Sequence, residues 1–267
     1  MRVFASISPW LPLLKNHLAS FVVLEEKAAE LYLISLLEKP AAAHRTKEAV
    51  LGIWKEGKPV QSLHDHLIQN GFRKRSLMSN DVPGTSRGYF REDLGNIRFI
   101  CPQTRPDQKP SSRGLSALPD KRAFFLLESP HSVDVPYLGQ NYEVQIPQVG
   151  RFILDKGLEL KTGRFLNPEK IYESSQGLLV ILDLLVSHAE LQEEAMDDFL
   201  EIRPPALVKE FLQILKQQGP GSVLWDSAQR LYLERYPGSK IVTLTKWYWD
   251  FVKGLSRLVE QQKNPPA

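Results

Sequence analysis

The stretch from Phe21 to Trp54, FVVLEEKAAELYLISLLEKPAAAHRTKEAVLGIW, limits the fold more than any other part of this chain. Phe21 to Leu24 is a short apolar run that suits a buried strand. The fourteen residues after it place Ala29, Leu33, Leu36 and Leu37 at helical spacing, and Thr46 to Trp54 returns to a strand pattern. A buried strand needs neighbours beside it and layers over it, so the segment predicts a strand, helix, strand entry into a sheet flanked by helices.

The junctions of this segment carry the residues of chemical interest. Glu25 and Glu26 stand where the first strand meets the helix, and the second strand carries Glu48 and Val50, which share a face because side chains alternate with period two. Gly95 to Pro102, GNIRFICP, reads as a further short strand with Ile97 and Phe99 on one face and Arg98 between them. In order and spacing these elements resemble nucleotidyltransferases of the DNA polymerase β-like superfamily. There the first strand ends in a glycine pair opening a helix, the next strand carries Asp-x-Asp, and a later strand supplies a third carboxylate. Glycines at such a turn let backbone approach triphosphate oxygens, and the paired aspartates hold divalent ions that bridge the attacking and leaving oxygens. The resemblance places Glu25 and Glu26 at the glycine pair, Glu48 and Val50 at the Asp-x-Asp, and Arg98 at the third carboxylate. Two glutamates repel a triphosphate, valine offers no donor, and a guanidinium donates only. One potential ligand, Glu48, is kept.

The resemblance extends to Leu185. VDVPYLGQNYEVQIPQVGRFILDKGLELKTGR is similar to a segment of bacterial nucleotidyltransferase-like proteins, including toxin components of abortive-infection systems, in which a hairpin leads through a proline into a helix carrying lysine. The matching positions are Pro147, Phe152, Lys156 and Arg164. NPEKIYESSQGLLVIL resembles the helix carrying Lys-Asp in such toxins, with Glu169 and Lys170 at those positions.

Composition narrows the function classes. With 267 residues, 42% hydrophobic and 24% charged, the chain has material for one large or two smaller globular domains. A net charge of +3 does not single out nucleic acid as a partner. The single cysteine, Cys101, excludes an intramolecular disulfide and a cysteine-cluster zinc site, and beside Ile100 it reads as a packing thiol. No apolar run reaches membrane-spanning length, and MRVFASISPWLPLLKNH lacks a cleavage pattern, so the expected location is cytoplasmic. Walker-loop, nucleophile-elbow and zinc-protease motifs do not occur.

Before Ile146, apolar runs alternate with helical segments. A helix is predicted from Ser62 to Asn70, with Leu63 and Leu67 one turn apart and Gly71 at its stop. Pro102 to Arg122 reads as a long surface loop, Ala123 to Leu127 as a strand, and Val133 and Val135 as part of another, followed by a turn at Gly139-Gln140-Asn141 and a strand from Tyr142 to Ile146. After Pro147 the patterns are helical. Asn167-Pro168-Glu169 starts a helix containing Leu178, Leu179, Ile181, Leu182 and Leu185, and others are predicted at Ala206 to Gln218, Leu224 to Tyr236 and Val242 to Gln261. The fold class is therefore α+β: an N-terminal mixed sheet flanked by helices over residues 1–146, and a helical bundle over residues 147–267 docked on it.

Each candidate site residue has a structural alternative. Glu25 and Glu26 are placed to bind nucleotide through a cation, or to complement a helix dipole. Glu48 is the catalytic candidate, or a solvated strand residue. Lys156 and Arg164 suit phosphate contact, or ordinary surface charge. His64 and His66, two apart on a helix, point to different faces and predict no metal site. Arg73, Lys74, Arg75, Arg87 and Arg91, interleaved with Tyr89 and Phe90, suit nucleic acid or a charged surface. Trp247, Tyr248, Trp249 and Phe251 suit a contact surface or bundle packing. The reading these residues favour is a nucleotidyltransferase-fold protein with impaired chemistry that binds a nucleotide, RNA or a protein partner. An active nucleotidyltransferase transferring NMP from an NTP to an RNA or protein hydroxyl is the enzymatic alternative. It alone would need Mg or Mn as cofactor. A protein-interaction module without a nucleotide role is the third.

Overall fold

The computed structural model describes residues 7–32, 48–54, 58–77, 86–103, 115, 117–160, 168–186 and 189–263. These fall into two compact units, Met1–Pro147 and Gln148–Ala267. The first is built on a mixed sheet and the second on helices, an α+β protein.

The sheet strands are β1 (Phe21–Leu24), β2 (Glu48–Ile53), β3 (Arg73–Leu77), β4 (Ser86–Arg91), β5 (Gly95–Pro102), β6 (Ala117–Asp120), β7 (His131–Tyr137) and β8 (Gln140–Ile146). Their order is β3-β4-β5-β2-β1-β8-β7, with β6 also pairing β5. The β2–β5, β5–β6 and β1–β8 pairs are parallel, and β1–β2, β3–β4, β4–β5 and β7–β8 are antiparallel. The central position of β1 explains its unbroken apolar sequence, since all four residues are buried.

The pairing register sorts the side chains of β1, β2, β4 and β5 onto two faces. On one, Phe21, Val23, Ala49, Leu51, Tyr89, Ile97 and Phe99 are all buried. Phe21 and Phe99 rings lie 5.4 Å apart, and Tyr89 meets Phe99 edge-on at 5.8 Å. Helix α3 (Lys58–Gln69) buries Val60, Leu63 and Leu67, and its His64 Nδ1 lies 2.8 Å from the Tyr89 hydroxyl. The helix starts four residues before the expected Ser62. Gly71 ends it at φ +83°, a backbone conformation that favours glycine. The opposite face is apolar at one end, where a Cβ on Gly52 would lie 2.2 Å from the Leu127 side chain. At its other end this face carries charge.

Three local expectations need correction. Ala123 to Leu127 is not a strand: it contains the one-turn helix α4 (Ala123–Leu126), started by Asp120 Oδ1 accepting from the Arg122 N–H at 2.7 Å. The place beside β5 belongs instead to β6, inside the segment read as loop. The turn between β7 and β8 is Leu138-Gly139, with φ of 49° and 75°, and Gln140 and Asn141 are already paired in β8. Helix α2 is described as Glu25–Leu31, so Leu33, Leu36, Leu37 and Thr46 fall outside the described residues, as does Asn167.

The second unit holds α5 (Val149–Glu159), α6 (Pro168–Ile181) continued by a π-helical turn (Leu182–Val186), α7 (Ala189–Glu201), α8 (Ala206–Gln218), α9 (Val223–Arg235) and α10 (Ile241–Lys263). Helix α7 was not expected from sequence. It lies close against α5: a Cβ on Gly150 would come within 2.6 Å of the Asp198 Cβ and 2.7 Å of the Ala195 carbonyl oxygen. Of the α10 aromatics, Tyr248 and Phe251 are buried, Trp249 is half-buried and Trp247 is exposed, so packing claims half of that cluster outright.

Candidate functional site

The charged end of the sheet face lies at the junction of β1 with α2. Leu24 is the last extended residue, and Glu25 turns the chain at φ 55°, in the left-handed region where a non-glycine residue is uncommon. The backbone thus takes a glycine-like turn with glutamate in it. Tyr32, at the far end of α2, donates its hydroxyl to the Pro147 carbonyl after β8, which ties the helix to the sheet.

The turn directs the Glu25 carboxylate toward β5. Arg98 Nη2 donates to Glu25 Oε1 at 3.1 Å and to Oε2 at 3.3 Å. Arg98 Nε is 3.7 Å from Glu48 Oε1, an ion-pair distance rather than a hydrogen bond. One guanidinium therefore joins two carboxylates from β2 and the start of α2. All three side chains are about one-third exposed, at 27% for Arg98, 33% for Glu25 and 35% for Glu48, so the group is reachable from solvent. Val50, directly opposite Arg98 in the β2–β5 register, is buried and contributes no polar atom.

The other sequence-predicted residues are placed differently. Lys156 belongs to the second unit, near the end of α5. Its ammonium pairs with Glu159 at 3.0 Å and lies 5.9 Å from the Phe152 ring centroid. It is nearly buried, so its charge is held by a local partner. Arg164 and the side chains of Glu26, Glu169 and Lys170 lie outside the described residues. His64 and His66 turn to different partners, the latter with Nε2 2.9 Å from the Leu13 carbonyl oxygen. Among the described residues no three His, Cys, Asp or Glu side chains gather as a metal-ligand set. Cys101 is buried. Among them, too, no helix is long and apolar enough to cross a membrane.

Sequence reasoning missed Asn96 and the strand partnership of the basic residues. Arg73 to Leu77 and Ser86 to Arg91 form the antiparallel pair β3–β4, with Phe90 opposite Arg73 on one side and Asn96 on the other. The alternation of Tyr89, core-facing, with Phe90 and Gly88 was the available signal.

Neither a protein-family model nor a curated protein sequence matches this chain. Two solved structures that are similar to it are nucleotidyltransferase-like. An antigenic nucleotidyltransferase-like protein from Paracoccidioides brasiliensis is 15% identical, with 78% of this chain and 93% of that one covered and a TM-score of 0.42. A protein from H. pylori designated a nucleotidyltransferase is 16% identical, with 94% and 95% covered and a TM-score of 0.36. At these scores the likeness is loose, and chemistry has to be argued from this chain's own residues.

Proposed function

We propose that this chain uses a nucleotidyltransferase-like scaffold for binding and not for transfer, with a nucleotide, an RNA or a protein as the partner. The supporting observation is the guanidinium of Arg98 between the carboxylates of Glu25 and Glu48. A divalent ion in phosphoryl transfer neutralises carboxylates and keeps positions open for phosphate oxygens. Here a fixed organic cation already lies against both acids, and it has no vacant coordination site. Val50 offers no further ligand, so the donor set does not fit magnesium or manganese.

The test is a thermal-shift titration with ATP, CTP, GTP and UTP, each with and without magnesium or manganese, checked by calorimetry. Binding to the folded state raises apparent stability by mass action. The expected result is that metal adds nothing to any shift. A metal-dependent shift for one nucleotide, accompanied by transfer of its α-phosphate to an acceptor, overturns the reading. If turnover exists, Glu48→Gln decides whether Glu48 carries it. The alignment itself is tested by the pair Val50→Asp with Arg98→Asp: gain of manganese binding supports it, and no gain in a folded protein counts against it.

A further inference from the structure

The connection from α9 to α10 gathers side chains that the packing of the second unit leaves unused. Helix α9 closes at Arg235 and α10 opens at Ile241, with the Lys240 carbonyl accepting the Thr243 and Leu244 N–H groups at 3.0 and 3.1 Å. Lys240, Thr243, Leu244 and Trp247 recur at spacings of three and four, which puts them on one side of the helix start. With Ser239 and Tyr232 they line an open cavity of about 290 Å³. Tyr232 and Leu244 are buried, Ser239 and Thr243 are half-buried, and Lys240 and Trp247 are exposed, Trp247 at 42%.

Among the described residues the Lys240 ammonium and the Ser239 and Thr243 hydroxyls make no hydrogen bond or ion pair, and the Trp247 indole meets no other ring. The neighbouring tryptophans differ: Trp225 and Trp249 each lie against the Tyr248 ring, at 4.8 and 5.7 Å between centroids. Bundle packing accounts for those two and not for Trp247. Lys240 is also poorly served by its own helix, because it precedes a first turn that contains no acid, where a cation is disfavoured. The cavity thus holds three unused donors and one open aromatic surface, with no carboxylate among the residues that line it.

We propose that this cavity binds a small phosphate monoester carrying one flat ring system, an aryl phosphate or a nucleoside monophosphate, with the ring against Trp247 and the phosphate on Lys240, Ser239 and Thr243. An ammonium and two hydroxyls match the three terminal oxygens of a phosphate better than the two of a carboxylate. An exposed indole gives a ring of the ligand a flat apolar partner. The volume lies at the lower end of the range for small-molecule sites, about 300–1,000 Å³, so one ring and one phosphate fill it and a polynucleotide does not. The proposal uses the second unit alone and does not rest on the Glu25–Arg98–Glu48 reading. A nucleotide-induced shift that survives Arg98→Ala and disappears with Lys240→Ala belongs to this cavity, and the reverse pattern belongs to the sheet.

The experiment is isothermal titration calorimetry of the full chain with phenyl phosphate and AMP, and with inorganic phosphate and phenol as the two halves of the ligand. The expected result is saturable binding of phenyl phosphate, AMP or both, at least about tenfold tighter than either half. Whichever of the two binds more tightly sets the preferred ring. Lys240→Ala is expected to weaken binding by about tenfold, and Trp247→Leu to reduce the affinity to that of inorganic phosphate at unchanged Tm. Trp247→Phe keeps an aromatic face and is expected to retain most of the binding, which assigns the effect to the ring and not to the apolar volume. No saturable binding of phenyl phosphate or AMP at about 10 mM overturns the proposal. Inorganic phosphate binding as tightly as the monoesters overturns it as well, since the ring then contributes nothing. Binding that both Lys240→Ala and Trp247→Leu leave intact also overturns it, because the ligand then sits elsewhere. Exposed Ile241 and Val242 at the same helix start suit a protein contact instead, and self-association that Trp247→Leu abolishes, in a chain that binds neither monoester, replaces the proposal with that one.

Discussion

Two arginine–carboxylate associations in this protein differ in setting, and the difference separates charge locked in the interior from charge open to solvent. Arg235 on α9 pairs with Asp183 in the π-helical turn after α6, and Asp183 is fully buried. The neighbouring Tyr236 hydroxyl is pushed far above the usual tyrosine range by its own burial, with the Asp183 charge adding to the effect. Arg98 joins Glu25 and Glu48 where each side chain keeps about a third of its surface. The buried pair is locked, because removing one partner strands a charge in a low-dielectric interior. Solvent screens the other group, so its members can exchange partners at little cost.

Arg235→Ala tests the contrast most severely. It leaves Asp183 buried without its cation, and a loss of about 3–5 kcal/mol is expected in denaturant unfolding. Replacing both residues, Asp183→Leu with Arg235→Met, is expected to recover most of that loss, since the penalty comes from the stranded charge and not from absence of the pair. A double variant as unstable as the single one breaks the comparison.

Asp198 lies between the extremes. It accepts the Gly150 N–H at 2.7 Å at the start of α5, and burial raises its carboxyl from 3.8 to about 6, with the Gly150 bond pulling the other way. The folded state therefore holds this proton more tightly than the unfolded chain. Its contribution to stability is fully present below about pH 4 and is lost as pH rises through about 6. Asp198→Asn keeps an acceptor for Gly150 and removes the buried charge. It is expected to raise stability at pH 7.5 by on the order of 1 kcal/mol, with the gain vanishing at pH 4. A gain independent of pH would assign the effect to packing.

Arg98→Ala is expected to have the smallest effect on folding, under about 1 kcal/mol in the same measurement. A larger loss would place the Arg98 group with the buried pair and make it a structural element.

Much of the architecture could be read from hydrophobic period alone. Phe21 to Leu24 had to be a buried strand, Ile97 and Phe99 had to share a face, and the helix Ala206–Gln218 was bounded by its own sequence through Gly219-Pro220. Ala123 to Leu127 was misread because a five-residue apolar run fits a strand or a turn of helix equally well, and only the presence of β6 beside β5 decides between them. Helix α7 was missed because nearly half of its residues are acidic, and its apolar positions Leu191, Ala195 and Phe199 acquire meaning only against a partner helix.

For the candidate site, the sequence determined the inventory: two glutamates at a turn, one on a strand, a valine two residues after it, and an arginine on β5. Tertiary structure decided the use. A left-handed turn at Glu25 and the β2–β5 register bring residues 25, 48 and 98 to one guanidinium. The β3–β4–β5 register likewise sets Arg73, Phe90 and Asn96 in one row leading to Glu48. Residue type and alternation are properties of the chain and can be read along it. Which residues face each other depends on strand partners far apart in sequence, and that information exists only once the strands have paired.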